Sequence, residues 1–101
     1  KAIPAEEKRG KLRLIASRSG RDGSVIIHQD ADIFAALLAR GEAVSHRVKP
    51  GRAAWVQVAR GAIVLNDTRL DKGDGASIDD ATRLNIVGEG DAEVLLFDVA
   101  A

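Results

Sequence analysis

From Leu12 onward the chain is built of short apolar segments in which every second residue tends to be apolar, separated by glycine, proline and aspartate. Leu12, Leu14 and Ala16 alternate with Lys11, Arg13 and Ile15, and a loop follows from Arg18 to Ser24. Val25-Ile26-Ile27-His28-Gln29 is a β-branched run that stops at Asp30. Val44 to Val48 and Trp55 to Arg60 read as strands joined by Lys49-Pro50-Gly51-Arg52, and Ala62-Ile63-Val64-Leu65 resumes after Gly61. Ala76-Ser77-Ile78, Leu84 to Val87 and Val94 to Val99 complete the set. Turn signals recurring at roughly 8–12-residue spacing are those of a sandwich or barrel, so the predicted class is all-β and antiparallel.

Two segments need separate treatment. Asp32 to Arg40 fits a helix by propensity, with Asp32 able to cap it, but it is short and flanked by strand-like sequence. It is assigned as strand. Asn66-Asp67 supplies two residues that tolerate positive φ, as a tight hairpin requires, and Lys72-Gly73-Asp74-Gly75 marks a second turn. Residues 1–10 are polar, with the run Ala5-Glu6-Glu7-Lys8-Arg9-Gly10, and are predicted to be a linker or surface arm; residues 11–101 form the domain.

Composition narrows the class. A chain of 101 residues with 46% hydrophobic and 30% charged positions suits one globular domain. No apolar run approaches the roughly 18 residues of a spanning helix, and no membrane partner is expected. The lack of cysteine removes disulfide and thiolate-metal chemistry and fits a reducing cytoplasm. A chain that opens Lys1-Ala2-Ile3-Pro4 and contains no methionine is expected to be a piece of a longer one. Net charge is zero, yet residues 1–66 carry 12 Lys/Arg against 6 Asp/Glu and residues 67–101 carry 3 against 9. With one Trp, two Phe and no Tyr, the aromatic platforms of a single-strand binder are missing, and no nucleic-acid partner is expected.

Candidate chemistry is sparse. Strand period puts His46 on one face with Val44 and Val48, pointing inward. A transition-metal site needs three or four converging ligands, and His46 brings one, so it is expected to be a core or cavity histidine satisfied by a neighbour. His28 is expected to be half-buried and structural. Nothing in the spacing requires His28 and His46 to join Asp30 or Gln57 in a site. Gly73-Asp74-Gly75 lacks the strand-turn-helix context of a phosphate loop. Arg18 and Arg21 can hold an anionic ligand or a partner carboxylate, though solvated charge is the simpler expectation. None of Ser17, Ser19, Ser24, Ser45 or Ser77 sits in a nucleophile elbow, and Asp79-Asp80 reads as a solvated turn. Trp55, the lone tryptophan, is expected in the core or as the anchor of a ligand or domain contact.

Taken in order, Gly10 to Ser17, Gly20 to Val25, His28 to Asp32, Gly51 to Val58, Gly73-Asp74-Gly75 and Glu93 to Asp98 resemble the C-terminal cupin domain of bacterial pirin-like proteins over essentially the whole chain. The resemblance implies a cupin fold, a double-stranded β-helix or jelly-roll barrel, in a bicupin whose polar connector corresponds to residues 1–9. In that family iron or a related divalent metal sits in the N-terminal barrel, held by His-x-His and His-x-Glu motifs. Some bacterial members are quercetin 2,3-dioxygenases; others are transcriptional cofactors or enzyme regulators. Carried over residue by residue, the motif fails: His46 matches the first position, Val48 replaces the second, and Leu84 to Gly88 contains no histidine.

The resemblance therefore implies no catalytic residue, no metal ligand beyond the vestigial His46, and no cofactor in this chain. Its expected partner is the N-terminal cupin of the same protein, contacted through apolar strand faces such as Ile33 and Leu37 or Val56 and Val58. The isolated chain is expected to self-associate. The alternative is a metal-free cavity for a small molecule, lined by His46, Trp55 and Gln57. Dioxygenase activity by this chain alone ranks last.

Overall fold

The computed structural model describes residues 4–78 and 83–100, so Asp79-Asp80 lies outside the described residues. Ten strands carry the fold: β1 (Arg13–Ser17), β2 (Val25–Ile26), β3 (Ala31–Leu38), β4 (Ala43–Arg47), β5 (Arg52–Arg60), β6 (Ala62–Leu65), β7 (Thr68–Asp71), β8 (Gly75–Ile78), β9 (Arg83–Gly88) and β10 (Ala92–Ala100). No α-helix occurs among the described residues. A six-stranded sheet, ordered β2-β1-β3-β10-β5-β8, packs on a four-stranded sheet, ordered β4-β9-β6-β7. Every pairing is antiparallel except that of β1 with β2. This is the expected jelly roll, with one correction: the two ladders stay separate and do not join into a closed barrel.

Local chemistry explains most of the elements. β3 pairs on both edges, with β1 and with β10, so ladder hydrogen bonds satisfy its backbone and override the helix propensity of its alanines and leucines. The tight hairpin between β6 and β7 forms as predicted, with φ of 44° at Asn66 and 72° at Asp67. The return strand β7 has a single buried apolar residue, Leu70, and the hydrophobic pattern does not mark it. The predicted strand 25–29 is cut to two residues. β1 ends at Ser17, whose carbonyl takes the Ile27 N–H, and beyond that point residues 27–29 have no neighbouring strand to pair with. His28 is consequently exposed and not half-buried.

The arm is pinned to the sheet. The Leu37 N–H donates to the Lys8 carbonyl at 2.7 Å and the Gly10 N–H to the Leu37 carbonyl at 2.7 Å, so residues 8–10 take over the β3 edge where β1 stops. Arg13 Nε donates to Glu7 at 3.0 Å and ties the same turn down.

Between the sheets the interior is filled by side chains. Leu38, Val48, Val56, Val58, Ile63, Leu84, Ile86, Val94 and Leu96 are fully buried. Val56 and Val58 were expected on an exposed contact face. They sit in the core instead, because pairing with β10 turns the even positions of β5 inward, opposite Leu96 and Val94. Such a core carries most of the stability of a small domain; burying one leucine side chain contributes about 2 kcal/mol.

Candidate functional site

At one end of the sandwich the inward-facing row of β10 changes character. Val94 and Leu96 give way to Asp98, buried and polar. Two groups from other strands satisfy it. Arg52, at the start of β5, donates from Nε to Asp98 Oδ1 at 2.8 Å and from Nη2 to the Asp98 carbonyl at 3.0 Å. His46, on β4 of the opposite sheet, lies with Nε2 2.7 Å from Asp98 Oδ2. An ionised carboxylate can only accept, so against it the His46 ring donates from Nε2. The His46 ring packs against Phe34 of β3 with centroids 5.2 Å apart and planes tilted by 54°.

Arg52 also links outward. Its Nη1 donates to Asp30 Oδ1 at 2.7 Å, and this pairing holds the Asp30 carboxyl below the usual aspartate range while raising the Arg52 guanidinium. Beside it Arg21 grips Asp32 through both Nη atoms, at 3.1 and 2.9 Å, which raises Arg21 likewise. These groups border an open cleft of about 450 Å³.

The residues present do not fit the metal that the fold family implies. Val48, two residues beyond His46, is fully buried and apolar, and so is Leu84, the residue paired with His46 across β4 and β9. The histidine's Nε2 is already taken by Asp98. Among the described residues no three His, Cys, Asp or Glu side chains converge as a ligand set.

Of the residues proposed to line a cavity, only His46 faces inward. Trp55 and Gln57 alternate with Ala54, Val56 and Val58 and point out of the six-stranded sheet. Trp55 was expected in the core or as the anchor of a ligand or domain contact; it is 42% exposed, which rules out the core. Its indole N–H donates to Gln57 Oε1 at 3.1 Å, and Gln57 Nε2 donates to the carbonyls of Gly73 and Asp74, each at 3.1 Å. The ring lies against Gly75, where a Cβ would collide with it. The sequence reading missed Asp98, although strand parity on β10, where it follows Val94 and Leu96 on the inward face, carries the signal that could have found it. Arg52 carried no such signal, since its position reads as part of a turn.

A jelly roll of two facing sheets, with His46 at its mouth and buried Val48 and Leu84 beside it, defines a cupin domain. Residues 14–99 match the family described as the quercetinase C-terminal cupin domain, and the chain belongs to that family. It is 34% identical over 87 residues to quercetin 2,3-dioxygenase of Escherichia coli K12, covering 86% of this chain and 38% of that protein. It is 32% identical over 101 residues to a pirin-like protein of Caulobacter vibrioides, covering 99% of this chain and 44% of that one. The crystal structure of YhhW from E. coli superposes with a TM-score of 0.90 at 31% identity, covering 98% of this chain and 41% of YhhW. The same bacterial pirin, crystallised in complex with nickel(II), gives a TM-score of 0.84 at 34% identity over 88% of this chain and 39% of that one. The chain thus spans less than half the length of the relatives it matches.

Proposed function

We propose that this chain is the metal-free, non-catalytic half of a two-cupin protein, and that it packs against and steadies an N-terminal cupin in which a quercetin 2,3-dioxygenase activity resides. One observation carries the proposal: Val48 and Leu84 fill two positions beside His46 with buried hydrocarbon, and Asp98 occupies the histidine itself. Rebuilding a ligand set would require opening the core.

The outer face of the six-stranded sheet supports the interaction role. Ile33, Phe97 and Trp55 are cross-strand partners on β3, β10 and β5, forming an apolar row on a side that solvent-facing sheets normally make polar. Val25 and Ile26, 46% and 61% exposed, lie at the β2 edge of the same sheet. Exposed apolar surface of this kind marks an interaction site. The occupant is the N-terminal barrel, because the family is defined as a C-terminal domain and its members are more than twice this chain's length. Without that barrel the same face drives self-association. Among the described residues no helix is long and apolar enough to cross a membrane, and the lack of cysteine suits a cytoplasmic protein.

The test uses the N-terminal barrel of the same protein, produced separately and mixed with this chain. A one-to-one complex on a sizing column is expected, with the metal found only in the N-terminal partner. Trp55→Lys should weaken that complex tenfold or more while leaving the chain's own Tm within a few degrees. A chain that stays monomeric at all concentrations and ignores the barrel, or that copurifies with stoichiometric metal, overturns the proposal.

A further inference from the structure

We infer that the cleft at the mouth of the sandwich is a binding site for a small multivalent anion bearing carboxylate or phosphate groups. Its lining includes none of Trp55, Ile33, Phe97, Val25 and Ile26, and its basis is a local excess of positive charge in a chain whose net charge is zero. Five cations border the cleft against three carboxylates.

All three carboxylates are already committed. Asp98 accepts from His46 and Arg52, Asp30 accepts from Arg52, and Asp32 is held by both Nη atoms of Arg21. The remaining cations, Arg18, Arg47 and Lys49, make no ion pair with any described residue. They come from two different loops and the end of β4, yet the fold brings them to one rim of one cleft. Five cations against three carboxylates leave an excess of positive charge among the described residues of the cleft, and such an excess is relieved by taking up an anion.

The floor suits such a ligand. Arg52 and Arg21 are fixed in geometry by their aspartate partners, and a guanidinium so held has donors left for a second acceptor. The cleft, about 450 Å³ and open on one side, admits a small molecule and lacks the apolar enclosure that a neutral hydrophobic ligand would need. Two or more negative charges on the ligand match three rim cations that make no ion pair with a described residue.

The proposal is tested by titrating the isotopically labelled chain with citrate and, separately, with inorganic phosphate at low salt, following amide shifts by NMR. Saturable shifts confined to residues 18–21, 30–32 and 46–52 are expected from at least one of the two. Which one binds separates the carboxylate from the phosphate source. Replacing the exposed residues in the combined variant Arg18→Gln, Arg47→Gln, Lys49→Gln should weaken binding about tenfold, since each exposed charge contributes modestly. The distant control Arg69→Gln should leave it unchanged. Three results overturn the inference: no saturation with either anion, shifts scattered over all cationic residues, or equal affinity in the triple variant and the control.

Discussion

His46 and Asp98, 52 residues apart in sequence, meet across the two sheets with 2.7 Å between Nε2 and Oδ2. The bond closes one end of the sandwich, and it gives His46 a structural partner. Asp98 is buried, so removing it strands two donors at once. Asp98→Ala should lower unfolding free energy by about 2–3 kcal/mol and His46→Ala by about 1–2 kcal/mol. In urea titrations the double variant should cost less than the two singles together, by about 1 kcal/mol. Strict additivity would mean that the pair does not interact in solution.

A histidine placed two residues beyond His46 should not create a metal site. Val48→His places a polar ring in a fully buried apolar position and should cost about 2–4 kcal/mol, with no gain in bound nickel or iron by elemental analysis. Stoichiometric metal in this single variant would show that other ligands lie within reach.

Trp55 and Gly75 form a second structural unit. Gly75 has no left-handed backbone requirement, so its role is steric: an added methyl meets the indole. Gly75→Ala should displace the ring from its hydrogen bond to Gln57, shift the tryptophan emission and destabilise the chain by about 1–2 kcal/mol. Unchanged fluorescence would mean the ring does not rest there.

Asp30 provides a pH test with a defined sign. Its folded pKa is lowered by the Arg52 hydrogen bond, so its contribution is present above the ordinary aspartate range and is lost as pH falls through the lowered value. A carboxyl titration by NMR should find the Asp30 midpoint below that of a free aspartate. Arg52→Gln should move it back up toward the ordinary value.

The Asn66-Asp67 turn supplies a stabilising variant. Asp67 has φ of 72°, a conformation that glycine adopts without strain, and Asp67→Gly should leave stability unchanged or raise it by up to about 1 kcal/mol. A loss of Tm would show that the aspartate side chain matters there.

Features set by neighbours in the sequence were legible in it. The hairpin at Asn66-Asp67, the strands of alternating apolar residues and the inward aim of His46 follow from turn chemistry and a period of two, both local. The lack of a second histidine near His46 was equally plain. β5 was harder: Ala53 to Val58 is apolar on both parities except at Gln57, so either face could have been the inner one. Pairing with β10 chose it, sending Trp55 out and Val56 and Val58 in. The run 25–29 had every local mark of a strand and lost most of it because β1 ends too soon to pair with it.

By itself, then, the sequence determined the class of fold and the lack of a His-x-His pair at positions 46 and 48, since both depend on residue type and short-range spacing. Only the tertiary structure decided that Asp98 and Arg52 would meet His46, that Trp55 would face outward, and that Arg18, Arg47 and Lys49 would share one rim. Those relationships depend on strand order and register across two sheets, where residues dozens of positions apart are brought together by the burial of a common core.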